Sequence, residues 1–405
     1  MATPSAHPVG HSAEVQTLFR IPGLDGLRSV AILIVFIGHA GLPTVVGAGT
    51  GVTLFFFLSG YLITTLLRRE YAHTGSISLR DFYLRRALRI LPPVYIFLSA
   101  AFTLAATHLV PAHITGVGVA AALLQFTNFV IIFGHPANLL PGAGLLWSLA
   151  IEEHFYLLFP LLYLALLRRM SPKRLGTALV VLCLFALAWR CVLVFRFGAD
   201  YDRTYYGTDT RADSLLFGCL LAVSTNPVLD RARVRPERSL GFLVVGALLV
   251  ITGEHLHTLL SGLGASAGVG YRADSTVGPT VQAMGLWLTF TAILSAPLSV
   301  VGRLLNWWPL VRLGVLSYSF YLFHGLVLTV IQDHTGLGKY PRAVLGFIVT
   351  LVISETVHLL VERPATDLRR RLGHQPPRPR VSAAHPGSVA AHEIVSPTLS
   401  PDVGA

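Results

Sequence analysis

Charge is scarce in this chain. Only 13% of its 405 residues are Asp, Glu, Lys or Arg, against ~25% in an ordinary soluble domain. Because 53% are hydrophobic and mean hydropathy is +0.64, a soluble globular fold is excluded in favour of an integral membrane protein. Lysine is almost missing, with only Lys173 and Lys339. The net charge of +11 is therefore carried by arginine. It sits in short segments between apolar runs, where it reports orientation and does not call for a nucleic-acid partner. Cysteine is limited to Cys183, Cys191 and Cys219, all within apolar runs, which argues against a disulfide framework and leaves no metal-ligand spacing. The ten-residue alternation of an outer-membrane barrel, a signal-peptide cleavage pattern and an inverted repeat are likewise missing.

What is present is a series of apolar runs near the ~20 residues needed to cross a ~30 Å hydrocarbon core. The first begins near Arg28 and the second runs from Gly51 to Leu67. After a basic linker reaching Leu91 and the span it leads into, further runs lie near 146–167, 175–196, 212–225, 239–256, 280–301, 313–332 and 342–361. Arginine clusters at 68–69, 80–89, 168–174, 231–238, 303–312 and 369–371 all fall on one, cytoplasmic, side if ten helices cross an inner membrane with both termini inside. The stretch Ile114 to Phe133 would make an eleventh crossing and upset that order. Its small residues, Gln125 and Asn128 mark it instead as re-entrant, interfacial or buried beside the bundle. The expectation is an all-α polytopic bundle over 21–364, with a disordered cytoplasmic arm at 1–20 and a disordered cytoplasmic tail at 365–405.

Ionisable residues inside such runs are functional candidates by default. Arg28 and His39 in "RSVAILIVFIGH" are eleven residues apart, which places them on one helix face about 16 Å from each other. The plain alternative is a snorkelling arginine and a histidine bonded to a neighbouring helix. "LWSLAIEEHFYLLFP" brings Trp147, Ser148, Glu152, Glu153 and His154 to the outer end of a span, with Glu152 and Tyr156 on one face. A carboxylate there orients a histidine or takes a proton; otherwise it faces headgroups. "SYSFYLFH" aligns Ser317, Tyr321 and His324 on one stripe, suited to interhelical hydrogen bonding or to catalysis. In "RDFYLRRALRI", Arg86 and Arg89 share a helical face beside Arg85. Such forked donors fit a phosphorylated cosubstrate, or serve as orientation charge and lipid contacts. Asp209, Arg211 and Asp213, and Glu355 with His358, read as packing pairs.

Taken in order, "GLDGLRSVAILIVFIGH", "GVTLFFFLSGYLIT", "FYLRRALRILPPVY", "LWSLAIEEHFYLLFP", "RADSLLFGCLLA", "SYSFYLFH" and "VERP" make the chain resemble the membrane acyltransferase family 3 from about Ile21 to Pro364. Members transfer acyl groups from acyl-CoA to hydroxyls of sugars, envelope polymers or natural products. The resemblance implies Arg28 and His39 as the essential pair, Arg86 and Arg89 as the element near the acyl donor with Arg85 beside them, and Glu152 in the tryptophan-serine motif. It extends to Glu153, Trp147, Ser148, Tyr321 and His324. Acyl-CoA, in the form of acetyl-CoA, is implied as a cosubstrate, with no permanently bound cofactor and no metal. The partners expected are acyl-CoA, a hydroxylated acceptor and the lipid bilayer. His39 is then a general base or a transient acyl carrier, with Arg28 or Glu152 fixing its state. Many envelope-modifying members carry an esterase-like domain after the bundle. Only about forty residues follow it here, which resembles members acting on macrolide-type or glycosylated products. The alternative class is a secondary transporter exporting a sugar or drug-like molecule.

Overall fold

The computed structural model describes residues 21–230 and 234–372. The arm at 1–20 and the tail beyond Leu372 lie outside the described residues. Among the described residues there is no strand, and the chain runs through seventeen α-helices. They are α1 (Leu24–His39), α2 (Ala48–Thr74), α3 (Leu79–Ala106), α4 (Gly116–Leu123), α5 (Thr127–Phe133), α6 (Leu146–Leu167), α7 (Pro172–Arg196), α8 (Tyr201–Tyr206) and α9 (Thr208–Ser224). Then follow α10 (Pro236–Glu254), α11 (Leu256–Gly262), α12 (Ala267–Thr276), α13 (Gly278–Ser295), α14 (Val300–Leu305), α15 (Trp308–His334), α16 (Lys339–Val357) and α17 (Arg363–Leu372).

Six helices are long and apolar enough to cross a bilayer, and two bent pairs raise the number to eight. The bends are 79° between α10 and α11 and 49° between α12 and α13. Of the remaining helices, α1 has 16 residues and α9 has 17. A count of ten therefore requires both of these shorter helices to cross. The Ile114–Phe133 stretch forms two helices of 8 and 7 residues, about 12 Å and 10 Å long, and neither spans. The backbone breaks between them at Gln125, which has φ 57°. Asn128 of α5 donates to the Tyr206 carbonyl at 3.2 Å and to Thr208 at 3.1 Å, so this segment is fastened against the bundle.

Two boundaries differ from the sequence reading. The basic linker and the span after it form one helix, α3, which runs through Pro92 and Pro93. Proline is tolerated inside membrane helices where neighbours satisfy the carbonyls it frees. At the other end, a π-helical turn at His358–Glu362 leads into α17, so helix continues past Pro364 as far as Leu372.

The centre of the bundle is held by close backbone contact and by a buried ion pair. A Cβ on Gly60 of α2 would lie 1.9 Å from the Leu215 carbonyl oxygen, and one on Gly218 of α9 would lie 2.1 Å from that of Phe57. Only glycine lets α2 and α9 approach this closely, the small-residue packing expected where apolar helices meet in lipid. Farther along α9, Asp213 takes both Arg190 Nη1, at 2.9 Å, and Nη2, at 2.7 Å. Both side chains are 0% exposed. Arg190 also donates to the Thr276 and Thr210 carbonyls at 2.9 and 2.6 Å, and to Thr280 at 2.5 Å.

The glycine contacts yield a direct test. Gly60→Ala and Gly218→Ala should each force the helices apart and cost about 1–3 kcal/mol through overpacking. Gly176→Ala, where an added Cβ meets nothing within 4 Å, should be neutral or slightly stabilising through helix propensity. Thermal denaturation of the detergent-purified variants gives the ordering, and equal midpoints for all three would remove the close approach from the account.

Candidate active site

The polar residues collect along α2, which borders three spaces in succession. Near its C-terminal end lies a vestibule of about 750 Å³. Arg28, Arg69, Arg85, Arg86 and Arg89 line it, opposed by only Asp25 and Glu70 among carboxylates. Arg85 is taken up by Glu70 at 3.0 Å and Arg28 by Asp25 at 3.1 Å. Arg86 lies over the rings of Tyr156, at 5.1 Å, and Phe82, at 5.7 Å. Neither Arg86 nor Arg89 makes an ion pair among the described residues. The helical face assigned to these two arginines from spacing is thus real, and it is turned toward open space.

Arg28, Leu62, Arg86 and Arg89 also line a second, narrower cavity of about 90 Å³. This cavity follows α2 back from Leu62 to Val52, about 15 Å at 1.5 Å per residue. Ser59, Ser148, Glu152, Tyr156, Ser317 and Tyr321 supply its polar lining. Ser59 donates to Glu152 Oε1 at 2.6 Å and accepts from the Tyr156 hydroxyl at 3.0 Å. The shared face of Glu152 and Tyr156 is therefore completed by a serine of α2 that spacing within α6 does not reveal. Ser148 meets the Tyr321 hydroxyl at 2.7 Å, and Tyr321 in turn donates to the Leu145 carbonyl at 3.1 Å.

One turn beyond Tyr321 stands His324, fully buried. Its Nδ1 is 2.7 Å from the Tyr321 carbonyl oxygen, and its Nε2 is 2.9 Å from His39 Nδ1. A carbonyl only accepts, so His324 Nδ1 carries the hydrogen. In a neutral ring its Nε2 is then an acceptor, and His39 Nδ1 must be the donor to it. The chain of bonds leaves His39 Nε2 with a free lone pair, and His39 itself is exposed at the end of α1. The partner expected to fix His39 was Arg28 or Glu152. The side chain that meets it is His324, whereas Arg28 lies at the arginine throat and Glu152 is bonded to Ser59.

The other proposed residues lie around this path. Trp147 does not line the narrow cavity; it is buried against Phe56 at 6.1 Å, Tyr205 at 5.0 Å and Tyr206 at 4.9 Å. Glu153 lines neither space and keeps a buried carboxylate oxygen without a hydrogen-bond partner. His154 bonds Thr208 at 2.9 Å and stacks on Phe129, tying α5, α6 and α9 together. The packing pairs are rearranged. Asp213 belongs to Arg190, Asp209 to Arg203 at 2.5 Å, and Glu355 to Arg312. His358 pairs with Glu362 at 2.7 Å, and Glu362 also accepts from Ser319 at 2.5 Å. Glu362 of the "VERP" segment, Ser59 and Arg190 were not singled out from sequence. Among the described residues no three His, Cys, Asp or Glu side chains converge to hold a metal ion.

The structure is thus a polytopic helical bundle whose arginine-lined mouth narrows onto buried hydroxyls and a carboxylate, with a histidine pair one turn beyond. The comparisons give its family. The model of acyltransferase family 3, described as an acyltransferase domain, matches residues 21–357, and the chain belongs to that family. It is similar to the putative peptidoglycan O-acetyltransferase YrhL of Bacillus subtilis (strain 168), 31% identical over 363 residues that make up 85% of this chain and 54% of that protein. It is also similar to the O-acetyltransferase OatA of Staphylococcus aureus (strain NCTC 8325 / PS 47), 32% identical over 362 residues, 85% of this chain and 57% of that protein. The peptidoglycan O-acetyltransferase OatA of Listeria monocytogenes is 30% identical over 355 residues, with 85% and 55% coverage. The chain thus spans little more than half the length of these relatives. No solved structure matches it.

The tautomer chain carries a prediction. His324→Gln keeps an acceptor for His39 Nδ1–H and should retain part of the acyl-transfer rate. His324→Leu removes the acceptor and should lower kcat by about 10²-fold or more, within the range of acid–base effects. KM for the acyl donor should stay unchanged in both. Steady-state rates per mole of membrane-inserted protein provide the comparison, and wild-type turnover by His324→Leu would show that this ring does not set the His39 tautomer.

Proposed function

We propose that the protein is a membrane-embedded O-acyltransferase. It moves an acyl group, acetyl in the simplest case, from acyl-CoA to a hydroxyl of a sugar, glycosylated natural product or cell-envelope glycan. The observation that carries this reading is the continuity of the vestibule with the narrow cavity through Arg28, Arg86 and Arg89. That path ends at Tyr321, one helical turn before His324, whose Nε2 bonds His39 and leaves the other His39 nitrogen free. The names of the relatives as O-acetyltransferases support the class of reaction.

In this reading the phosphates of acyl-CoA bind the guanidiniums of Arg86 and Arg89, which have no carboxylate partner among the described residues. Forked donors suit phosphate oxygens better than a lysine point charge. The thioester arm enters the narrow cavity. His39 Nε2 takes the proton of the acceptor hydroxyl as its oxygen attacks the thioester carbonyl carbon. The carbon–sulfur bond breaks, and the departing CoA sulfur takes that proton back from the imidazolium. His324 Nε2 accepts from His39 Nδ1 throughout and so stabilises the charged ring. Glu152, held by Ser59, adds negative potential beside the arginines.

The protein sits in the inner membrane with both termini and the arginine vestibule on the cytoplasmic side, where acyl-CoA is found. Reporter fusions at Pro172 should read cytoplasmic, and those at Gly207 and Ala267 external. An external signal at Pro172 would reverse the placement of the vestibule.

Purified protein given labelled acetyl-CoA and hydroxylated acceptors should release CoA thiol and label the acceptor. Arg86→Ala and Arg89→Ala should each raise KM for acetyl-CoA by about 10–100-fold, the worth of one charge-assisted bond of ~1.5–3 kcal/mol. Lys should rescue only in part. His39→Ala and His39→Gln should both lower kcat by about 10²–10⁴-fold with normal membrane abundance. An unchanged KM in the double arginine variant would reassign those residues to orientation or lipid contact.

A further inference from the structure

The third space along α2 has no role in the scheme above. It measures about 370 Å³ and is lined at its α2 side by Gly47, Ala48, Gly49 and Thr53. Such a volume lies in the ~300–1,000 Å³ range of small-molecule sites. From Gly49 to His73 at the vestibule is 24 residues of one helix, about 36 Å. The two spaces therefore lie at opposite ends of a membrane-spanning element. The backbone at Gly38, one residue before His39, lies against Ala48; a Cβ on Gly38 would come within 2.9 Å of the Ala48 Cβ. The exposed His39 is accordingly at this end.

The lining chemistry is specific. Tyr201 and Tyr205 stack with ring centroids 4.9 Å apart and planes 18° from parallel, and Tyr201 is 42% exposed. Gly49 makes room for the Tyr205 hydroxyl, which would lie 2.5 Å from a Cβ there. Burial pushes the Tyr205 phenol up to about 12, so the ring stays neutral. Arg211 is 3% exposed, lies 5.2 Å over the Tyr205 ring, and donates to Thr53 at 2.7 Å. Its Nε is buried without a hydrogen-bond partner, and it makes no ion pair among the described residues. Unlike Arg190, this guanidinium is left with unused donor capacity beside a cavity, where an unsatisfied polar group is costly.

Opposite Arg211, the Glu254 carboxylate is held by Gly47 N–H at 3.0 Å, Thr50 at 2.6 Å and Gln282 at 2.7 Å. Asp274 adds a second carboxylate, 2.5 Å from His257 Nδ1. One arginine against two carboxylates is a poor match for a polyanion, for which the vestibule with its five arginines is far better suited. An aromatic platform ringed by donors and acceptors of both kinds matches a ring that has an apolar face and a hydroxylated edge.

We infer that this third cavity is the acceptor subsite and takes a neutral, hydroxyl-rich ring of the hexose or hexosamine type. The inference rests on the transferase reading and adds its acceptor side. The ring stacks on Tyr201, its hydroxyls bond Arg211 and the Glu254–Gln282 pair, and one hydroxyl is presented toward His39.

The test uses the full chain in lipid nanodiscs and a panel of radiolabelled neutral methyl hexosides and methyl N-acetylhexosaminides. At least one should bind saturably. Tyr201→Leu should weaken that binding about fivefold to tenfold, the scale of a lost aromatic contact. Arg211→Lys should weaken it as well, with normal abundance and gel-filtration behaviour confirming an intact fold. In parallel thiol-release assays, Tyr201→Leu should raise KM for the glycoside and leave KM for acetyl-CoA unchanged. Failure of every glycoside to bind, or binding indifferent to both substitutions, overturns the subsite. Glycoside binding that depends on Tyr201 without any CoA release would keep the subsite and sink the transferase reading instead.

Discussion

A fully buried arginine sets the position of half the bundle. Arg190 on α7 has no access to water, so its guanidinium must be satisfied from within the protein. It is satisfied by Asp213 on α9, by carbonyls at Thr210 and Thr276, and by Thr280 on α13. Four helices meet at one side chain. Losing either charge would leave the other buried and unpaired, which costs about 3–5 kcal/mol. Because Arg211 lies two residues before Asp213, and α8 leads directly into α9, the same network fixes where Arg211 and Tyr205 stand. The third cavity inherits its geometry from this pair.

Against that background two sets of arginines stand apart. Arg68 is matched by Asp230 at 2.7 Å, Arg203 by Asp209 and Arg312 by Glu355; these close loops and helix ends. Arg86, Arg89 and Arg211 have no acid partner among the described residues, and each borders a cavity. In an apolar bundle an unpaired charge is expensive. These three guanidiniums therefore leave unmatched charge beside cavities at two separate ends of α2.

The parts of the site that follow from helical periodicity were legible in the sequence. Arg86 and Arg89 share a face because they are three residues apart, and Ser317, Tyr321 and His324 form one stripe for the same reason. Ile114–Phe133 was readable as a non-spanning segment because its amides and small residues broke the apolar run. What periodicity cannot supply is the partner across a helix interface. Arg28 and His39 lie on one face as the spacing requires, yet they serve different places: one at the throat, the other bonded to His324. Nothing in the order of residues links positions 285 apart. Ser59 and Arg190 escaped notice for a similar reason, since a serine or arginine within an apolar run discloses its role only when the opposing carboxylate is known. From sequence the linker reaches Leu91, whereas α3 runs on through Pro92 and Pro93 without a break.

The narrowness of the middle cavity has a consequence for the cell as well as for chemistry. Three spaces arranged end to end along a membrane-spanning helix would form a pore if they were equally wide, and a pore lined by arginines and hydroxyls would dissipate ion and proton gradients. At about 90 Å³ the middle space holds only a handful of waters, and Phe55, Phe56, Val52 and Ile63 pack its walls. The bundle thus keeps polar chemistry in its interior and remains a permeability barrier. Widening that segment by trimming its aromatic walls would tax the membrane's energy store before it changed the identity of any catalytic group.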